Sequence, residues 1–289
     1  ITKLKARFVA HGFRQQFGKD YHATFAPTVH KSSLRLLLSL GVRNKWLLKQ
    51  FDVKGAFLLS DLQYNIFLRP PKIVAKLLNM QEDEVWELQK TLYGLKQSAN
   101  RWHADFTKEM IRLGFKRCPE DHCLFRRSDR RGELIVGVHV DDSVCVASNE
   151  RVFKEFMQEF KFPTSDVGNL TYCLGLKVDY DGHKLVLTQS ADIEAMAARY
   201  GLLGSKNKKT PMEMNLKLDK EMGPHTEEEK ALMAKHPYRN LLGALQYCAW
   251  NRPDIALAVG KCSQFAQNPG LPHWQALKRI LVYLYHTRH

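Results

Sequence analysis

The sequence predicts an α+β fold, on three observations. Short apolar runs rich in β-branched residues read as strands, the clearest being Leu134–Val140 and Val144–Ala147. Tight turn signals between such runs make antiparallel hairpins, as at Asp141-Asp142 and Asp181-Gly182. Between the hairpins, apolar residues recur at three- and four-residue intervals, the spacing of amphipathic helices. Strands and helices are thus mixed along the first two thirds of the chain, and a mainly helical region follows.

Residues 1–31 read as basic, alternating, extended segments in which Lys3, Lys5 and Arg7 share one face. Ser32 is the predicted N-cap of a helix carrying Leu34, Leu37, Leu38 and Val42. A strand runs through Phe51-Asp52-Val53 and breaks at Gly55. A strand pair is predicted around Tyr64–Leu68 and Val85–Leu88, with Pro70-Pro71 and a polar stretch between. Tyr93–Ser98 turns into a helix with Trp102, Phe106, Met110 and Leu113 on one side, ended by Gly114. After the acidic hairpin comes a helix with Val152, Phe153, Phe156, Met157 and Phe160. Strands at Tyr172–Tyr180 and Lys184–Thr188 follow. Lys206–Pro211 reads as a linker, Thr226–Glu229 as a capping box, and helices are predicted over 226–235, 238–250, 253–267 and 272–286.

The 289 residues suffice for a sizeable core and two or three subdomains. Starting at Ile1, the chain reads as an internal piece of a longer polypeptide, or as a deliberately trimmed one. A net charge of +14 favours a polyanionic partner such as nucleic acid. The charge is concentrated, because residues 1–50 hold ten Lys or Arg and a single acid, Asp20. No apolar stretch is long enough to span a membrane. The six cysteines lack metal-ligand spacing and read as reduced, structural thiols.

Two adjacent carboxylates at a hairpin tip, Asp141 and Asp142, do little for a core and suit a divalent metal. Asp52, at a strand end followed by small residues, is the candidate third acid. Oxygen-only ligands suit Mg²⁺ or Mn²⁺. Two such ions ~4 Å apart clamp the attacking and leaving oxygens of an in-line phosphoryl displacement. Free backbone N–H groups at Gly55 and Ala56 suit a triphosphate.

Eight ordered blocks tie these features together. Lys5–Phe13, Thr24–Pro27, Phe51–Leu58, Tyr93–Ser98, Val140–Asp142, Leu174–Leu176, Leu187–Ser190 and Asn251–Asp254 resemble the reverse transcriptases of copia-type LTR retrotransposons. The resemblance implies a right-hand polymerase fold. Fingers would be 1–50 and 61–92, the palm with its antiparallel sheet 51–60 and 93–200, and a helical thumb or connection 201–289. It implies RNA- and DNA-directed DNA synthesis from dNTPs on a primed RNA or DNA template, with two Mg²⁺ or Mn²⁺ ions held by Asp52 and Asp141 and with Asp142 close by. Phe57 matches an aromatic gate against the ribose 2′-hydroxyl. Lys5 and Arg7 match the residues that hold the β- and γ-phosphates, and which of the two does so is open. Gly94, Lys96 and Gln97 match a block contacting nucleotide and template, and Leu174-Gly175 the segment gripping the primer end. Lys161 is a candidate proton donor to pyrophosphate, and Lys278 and Arg279 candidate duplex contacts. His139 replaces the family's usual Tyr, which bears on processivity or fidelity.

The resemblance further implies RNase H and integrase domains as partners in a parent polyprotein. It places the protein in the cytoplasm, in a virus-like particle, and in the nucleus. Two alternatives stand beside this reading. One is a catalytically impaired or domesticated nucleic-acid-binding remnant, and the other is a palm-type two-metal enzyme such as a cyclase.

Overall fold

The computed structural model describes residues 6–81 and 83–289, in two units. The first takes in the chain up to Thr171 together with Tyr180–Leu185. The second is Tyr172–Asp179 with Val186–His289.

In the first unit the order is α1 (Lys31–Arg43), β1 (Leu47–Val53), β2 (Asp61–Leu68), α2 (Lys72–Leu77), β3 (Trp86–Lys90) and α3 (Ser98–Arg112). Then come β4 (Lys116–Arg117), β5 (Leu124–Asp129), β6 (Gly132–His139), β7 (Asp142–Ala147), α4 (Glu150–Glu159) and β8 (Thr164–Asn169). Six strands form one sheet in the order β4-β5-β6-β7-β1-β8, with every neighbouring pair antiparallel. A separate ribbon pairs β2 with β3. The prediction of mixed helix and antiparallel sheet is therefore correct.

Strand alternation divides the sheet residues between two faces. Phe51, Phe125, Val136 and Cys145 point to one side, where Trp102, Phe106 and Met110 of α3 and Val152 and Phe156 of α4 complete a core. Leu48, Val146 and Gly137 point to the other side, where Gly41 and Leu37 of α1 meet them. The predicted spacings in α3 and α4 thus mark the faces that these helices bury.

Several predicted details are corrected. Residues 6–11 form no strand, while Lys3 and Lys5 lie outside the described residues. Ser32 sits inside α1, not at its cap. The N-cap is His30, without a side-chain cap bond, and a distant carboxylate takes over: Asp121 accepts from the His30 N–H at 2.8 Å and from the Ser33 hydroxyl. The polar stretch after Pro71 contains α2, and β4, β5 and β8 were not predicted.

In the second unit, the expected strand at 172–180 is two strands, β9 (Tyr172–Cys173) and β10 (Leu176–Tyr180), which fold back on each other at Leu174-Gly175. β11 (Leu185–Thr188) follows the predicted Asp181-Gly182 turn, which itself belongs to the first unit and where the Asp181 carboxylate accepts from the His183 and Lys184 N–H groups at 2.8 and 2.7 Å. The helices are α5 (Ser190–Arg199), which was not predicted, α6 (Glu227–Ala234), α7 (Tyr238–Ala249), α8 (Ala256–Ser263) and α9 (Leu271–His286). The Thr226–Glu229 capping box is present. Pro253 opens a 3₁₀ turn ahead of α8 and the helix ends at Ser263, short of the predicted 267. Leu241, Leu245, Ile255, Leu277 and Ile280 form this unit's own core. No helix among the described residues is long and apolar enough to cross a membrane, and all six cysteines are free.

Candidate active site

The site is assembled by register. Asp142 stands opposite Asp52 on one flank and opposite His139 on the other, and Asp52 stands opposite Ser165 of β8. Directly opposed residues in antiparallel strands share a face, with Cβ atoms ~5 Å apart. His139, Asp142, Asp52 and Ser165 therefore form one row across four strands. The Ser165 hydroxyl donates to Asp52 Oδ2 at 2.9 Å.

The reading of two acids at the tip needs adjustment. Val140 and Asp141 make the turn, and Asp142 is the first residue of β7. Val140 has φ +64°, a left-handed conformation that costs a β-branched residue strain. Two contacts hold it. The indole N–H of buried Trp102 donates to the Val140 carbonyl at 2.6 Å, and the Val53 N–H donates to the Asp141 carbonyl at 3.1 Å. Predicted as a core residue, Trp102 also fixes the turn that carries Asp141.

A fourth acid lies near the row. β8 carries an extra residue opposite β1, because Gln50 pairs with Gly168 while Asp52 pairs with Ser165. Asp166 sits in this bulge with φ +52° and accepts from Gln50 Nε2 at 2.5 Å. Partial burial, then the carboxylates of Asp141 and Asp52, push the Asp142 carboxyl above its ordinary value. His139 opposes the rise and Asp166 adds to it. Such crowding of like charge is what a cation relieves. The donors are hard oxygens, as Mg²⁺ or Mn²⁺ require, so these residues fit such an ion in chemistry. Among the described residues no group of three or more His, Cys, Asp or Glu side chains stands at ligating geometry as placed.

After β1, Gly55 takes φ +63° and turns the chain into a 3₁₀ turn at Ala56–Leu58. This turn closes its first bond at the Leu58 N–H, and the Gly55 and Ala56 N–H groups make no backbone hydrogen bond among the described residues. Ala56 is buried in the core between the sheet, α3 and α4, and half-buried Phe57 packs edge-on against Tyr93, centroids 5.4 Å apart. The Arg7 guanidinium lies over the other partner of that pair, 5.9 Å from the Tyr93 centroid. Arg7, Tyr93 and Phe57 therefore stack in series, and Tyr93 is a link that sequence reasoning missed. Lys5 lies outside the described residues.

The block at 93–97 clasps the segment 10–21. Gly94, at φ +90°, brings its backbone so close to Ala10 that a Cβ would stand 2.2 Å from the Ala10 carbonyl oxygen. The Ala10 N–H donates to the Tyr93 carbonyl at 2.7 Å. Gln15 accepts from the Lys96 N–H at 2.8 Å and donates to Gln97 Oε1 at 3.0 Å. Gln97 is buried and donates to the Asp20 carbonyl, and the Lys96 ammonium donates to the Tyr21 hydroxyl at 2.9 Å. As placed, Lys96 and Gln97 hold this loop. The Lys161 ammonium stands 3.7 Å from buried Glu109, which also accepts from the Lys161 backbone N–H at 3.0 Å. In the second unit, the Tyr247 hydroxyl donates to the Leu174 carbonyl, and Arg279 pairs with Glu213 at 2.9 Å.

The comparisons agree with the ordered blocks. Residues 1–214 match the family model described as Reverse transcriptase (RNA-dependent DNA polymerase). The Retrovirus-related Pol polyprotein from transposon TNT 1-94 of Nicotiana tabacum is 37% identical over 292 residues, covering 98% of this chain and 22% of that polyprotein. The corresponding polyprotein from transposon RE2 of Arabidopsis thaliana is 32% identical, covering 98% of this chain and 19% of its own length. The putative transposon Ty5-1 protein of Saccharomyces cerevisiae is 30% identical, over 82% of this chain and 76% of its own. The chain spans about a fifth of the length of the Pol polyproteins it matches. It belongs to the reverse transcriptase family of copia-type retrotransposon Pol polyproteins, whose class of enzyme is the RNA-directed DNA polymerase.

Proposed function

We propose that this chain extends a primer by nucleotidyl transfer: the primer 3′-hydroxyl attacks the α-phosphate of a dNTP paired to an RNA or DNA template, and pyrophosphate leaves. The observation that carries this is the convergence of Asp52, Asp141 and Asp142, from two strands and one turn, on the end of one sheet. Asp52 and Asp141 would hold two Mg²⁺ or Mn²⁺ ions, with Asp142 beside them. Bound there, the ions supply charge neutralisation for the attacking and leaving oxygens.

The chain's own residues do the positioning. Ser165 orients the Asp52 carboxylate through its hydroxyl, and Trp102 fixes the turn carrying Asp141. The spare N–H groups of Gly55 and Ala56 bind phosphate oxygens, aided by Lys5 or Arg7. Phe57, braced by Tyr93, excludes a 2′-hydroxyl. Gly94, Lys96 and Gln97 shape the floor beneath nucleotide and template. In this reading residues 1–50 and 61–92 are fingers, 51–60 and 93–200 palm, and 201–289 thumb or connection of a right-hand polymerase. RNase H and integrase domains are its neighbours in a parent polyprotein, and a virus-like particle is its setting.

The test is extension of oligo(dT) on poly(rA) with Mg²⁺ or Mn²⁺, by wild type and by Asp141→Asn. Wild type should incorporate dTTP and the variant should fall to background. Undiminished extension by Asp141→Asn would remove the assigned site. Salt-sensitive duplex binding without incorporation under either metal would replace the proposal with a nucleic-acid-binding remnant.

A further inference from the structure

β8 does not pair straight along β1. Lys49 pairs with Asn169 and Gln50 with Gly168, but Asp52 pairs with Ser165 and Val53 with Thr164. Two steps along β1 are thus matched by three along β8, which leaves one residue of β8 over. The effect falls on the acid row. Without the extra residue, counting on from Gln50 and Gly168 sets Asp166 opposite Asp52 and Ser165 opposite Val53. Asp52 would then stand between two carboxylates, Asp166 on one flank and Asp142 on the other. Like charges directly opposed destabilise a strand pair. The Ser165 hydroxyl would turn to the other face of the sheet, because a slip of one residue exchanges the faces. The bulge therefore decides whether Asp52 meets a hydroxyl donor or a further acid.

Gln50 is the side chain that spans the bulge. It lies two residues before Asp52, on the same face of β1, and is buried. Its amide is used at both ends. Nε2 donates to Asp166 Oδ2 at 2.5 Å, and Oε1 accepts from the Thr171 N–H at 2.8 Å. The first bond holds Asp166 off the row, at φ +52°, and the second fixes the chain just beyond β8. A carboxylate of the same shape could serve Thr171 but would repel Asp166. β8 has other ties at its two ends. The Lys54 N–H donates to the Pro163 carbonyl at 2.9 Å, the Leu170 N–H to the Leu48 carbonyl at 3.0 Å, and the Lys49 ammonium to Asn169 Oδ1 at 3.0 Å. The strand stays attached when Gln50 is changed, and the bulge between those ends is what Gln50 governs.

We propose that Gln50 is a positioning residue of the polymerase site: its amide locks the β8 bulge so that Ser165, and not Asp166, stands opposite Asp52. This role rests on the reading of Asp52 as a catalytic carboxylate. Gln50 acts through Ser165 and touches neither primer nor nucleotide.

A swap of side chains tests it. Gln50→Glu keeps the acceptor for Thr171 and sets a carboxylate against Asp166. Gln50→Glu combined with Asp166→Asn restores a donor–acceptor pair in the opposite sense, and Asn tolerates the left-handed backbone at 166. In extension of oligo(dT) on poly(rA), Gln50→Glu should lower kcat by about 10- to 100-fold, the usual loss when a group that orients a metal-binding carboxylate is removed. The KM for dTTP and the Kd for primer–template should stay at wild-type values. The Mg²⁺ concentration for half-maximal rate should rise, and the double variant should recover most of both losses. Asp166→Gly removes the acceptor at an exposed position whose positive φ suits glycine, so it should follow Gln50→Glu without burying a charge. Hydrogen exchange read by mass spectrometry, with neither metal nor substrate present, supplies a readout apart from activity. Residues 164–171 should exchange faster in both single variants and regain protection in the double variant, while α3 and α4 keep theirs. Wild-type kcat in Gln50→Glu, a double variant no better than Gln50→Glu, or unchanged exchange over 164–171 would each overturn the proposal. Wild type that extends no primer overturns the polymerase reading and this role together. Wild type that extends, beside an inactive Asp141→Asn and a fully active Gln50→Glu, removes this role alone.

Discussion

Phe57 owes its position to two neighbours. Tyr93 meets its ring edge-on and the Thr91 hydroxyl donates to its backbone carbonyl, so the residue is held at both ring and backbone. If it excludes the ribose 2′-hydroxyl sterically, Phe57→Ala should lower the preference for dTTP over UTP by about 10- to 100-fold, the usual yield of one apolar contact surface. The check is kcat/KM for both nucleotides, and an unchanged ratio would remove the gate role. Asp121 offers a different residue-scale test. Burial acts to raise its carboxyl, but the Ser33 hydroxyl and the His30 and Cys123 N–H groups outweigh burial and hold it below the ordinary value. A depressed folded value means the stabilisation is present above the unfolded value and is lost as pH falls through the folded one. Asp121→Asn should therefore cost about 1–2 kcal/mol near neutrality, as loss of a helix cap does. The gap to wild type should close below about pH 4, measured by urea denaturation across pH.

The turn between β6 and β7 is where element-scale forces oppose each other. Strand pairing on both sides demands a two-residue connection, and the first of those residues is a valine at φ +64°. Tryptophan from α3 holds it there by one hydrogen bond. Trp102→Phe should leave the Val140 carbonyl without its donor, at about 1–3 kcal/mol. It should lower kcat more than it raises KM, because the turn carries Asp141. Val140→Gly relieves the steric cost while adding backbone entropy to the unfolded state, so its stability should stay within about 1 kcal/mol of wild type. Differential scanning of both variants separates strain from support. The same region shows what the sequence displays and what it hides. β6, β7, α3 and α4 are legible because each buries an apolar stripe with the right period. β8 is Thr164-Ser165-Asp166-Val167-Gly168-Asn169, a polar run with no alternation, and it is a strand only because β1 offers an unpaired edge. Ser165 and Asp166 were missed with it, for the same reason. Asp52, Asp141 and Asp142 drew notice in the sequence because acids beside apolar strands stand out. Their opposition in register, and the role of Trp102, depend on which strands pair, and that is set by the tertiary fold.

At the scale of the molecule, two cores are built on different plans. One lies between a sheet and two helices, with Phe51, Phe106, Phe125 and Phe156 fully buried. The other lies among helices and contains Leu241, Leu245, Leu277, Ile280 and Leu284. In the first unit β1 is joined to β7 and β8, strands far along the chain, whereas in the second α7, α8 and α9 pack on one another over short separations and α5 packs on α9. Units with separate cores unfold as separate cooperative blocks when their own burial dominates. Ile280→Val removes one methylene from the helical core and should cost about 0.5–1.5 kcal/mol there. Val136→Ala trims the sheet core and should cost roughly 2 kcal/mol, from two lost carbons and the cavity they leave. Calorimetry of the full chain should then show two transitions, with Ile280→Val lowering one midpoint and Val136→Ala the other. A single transition shifted by both substitutions would mean that the two cores unfold as one block. Duplex binding adds a second readout: a primer–template that raises only the midpoint moved by Val136→Ala would locate its main contacts on the unit that carries Asp52 and Asp141.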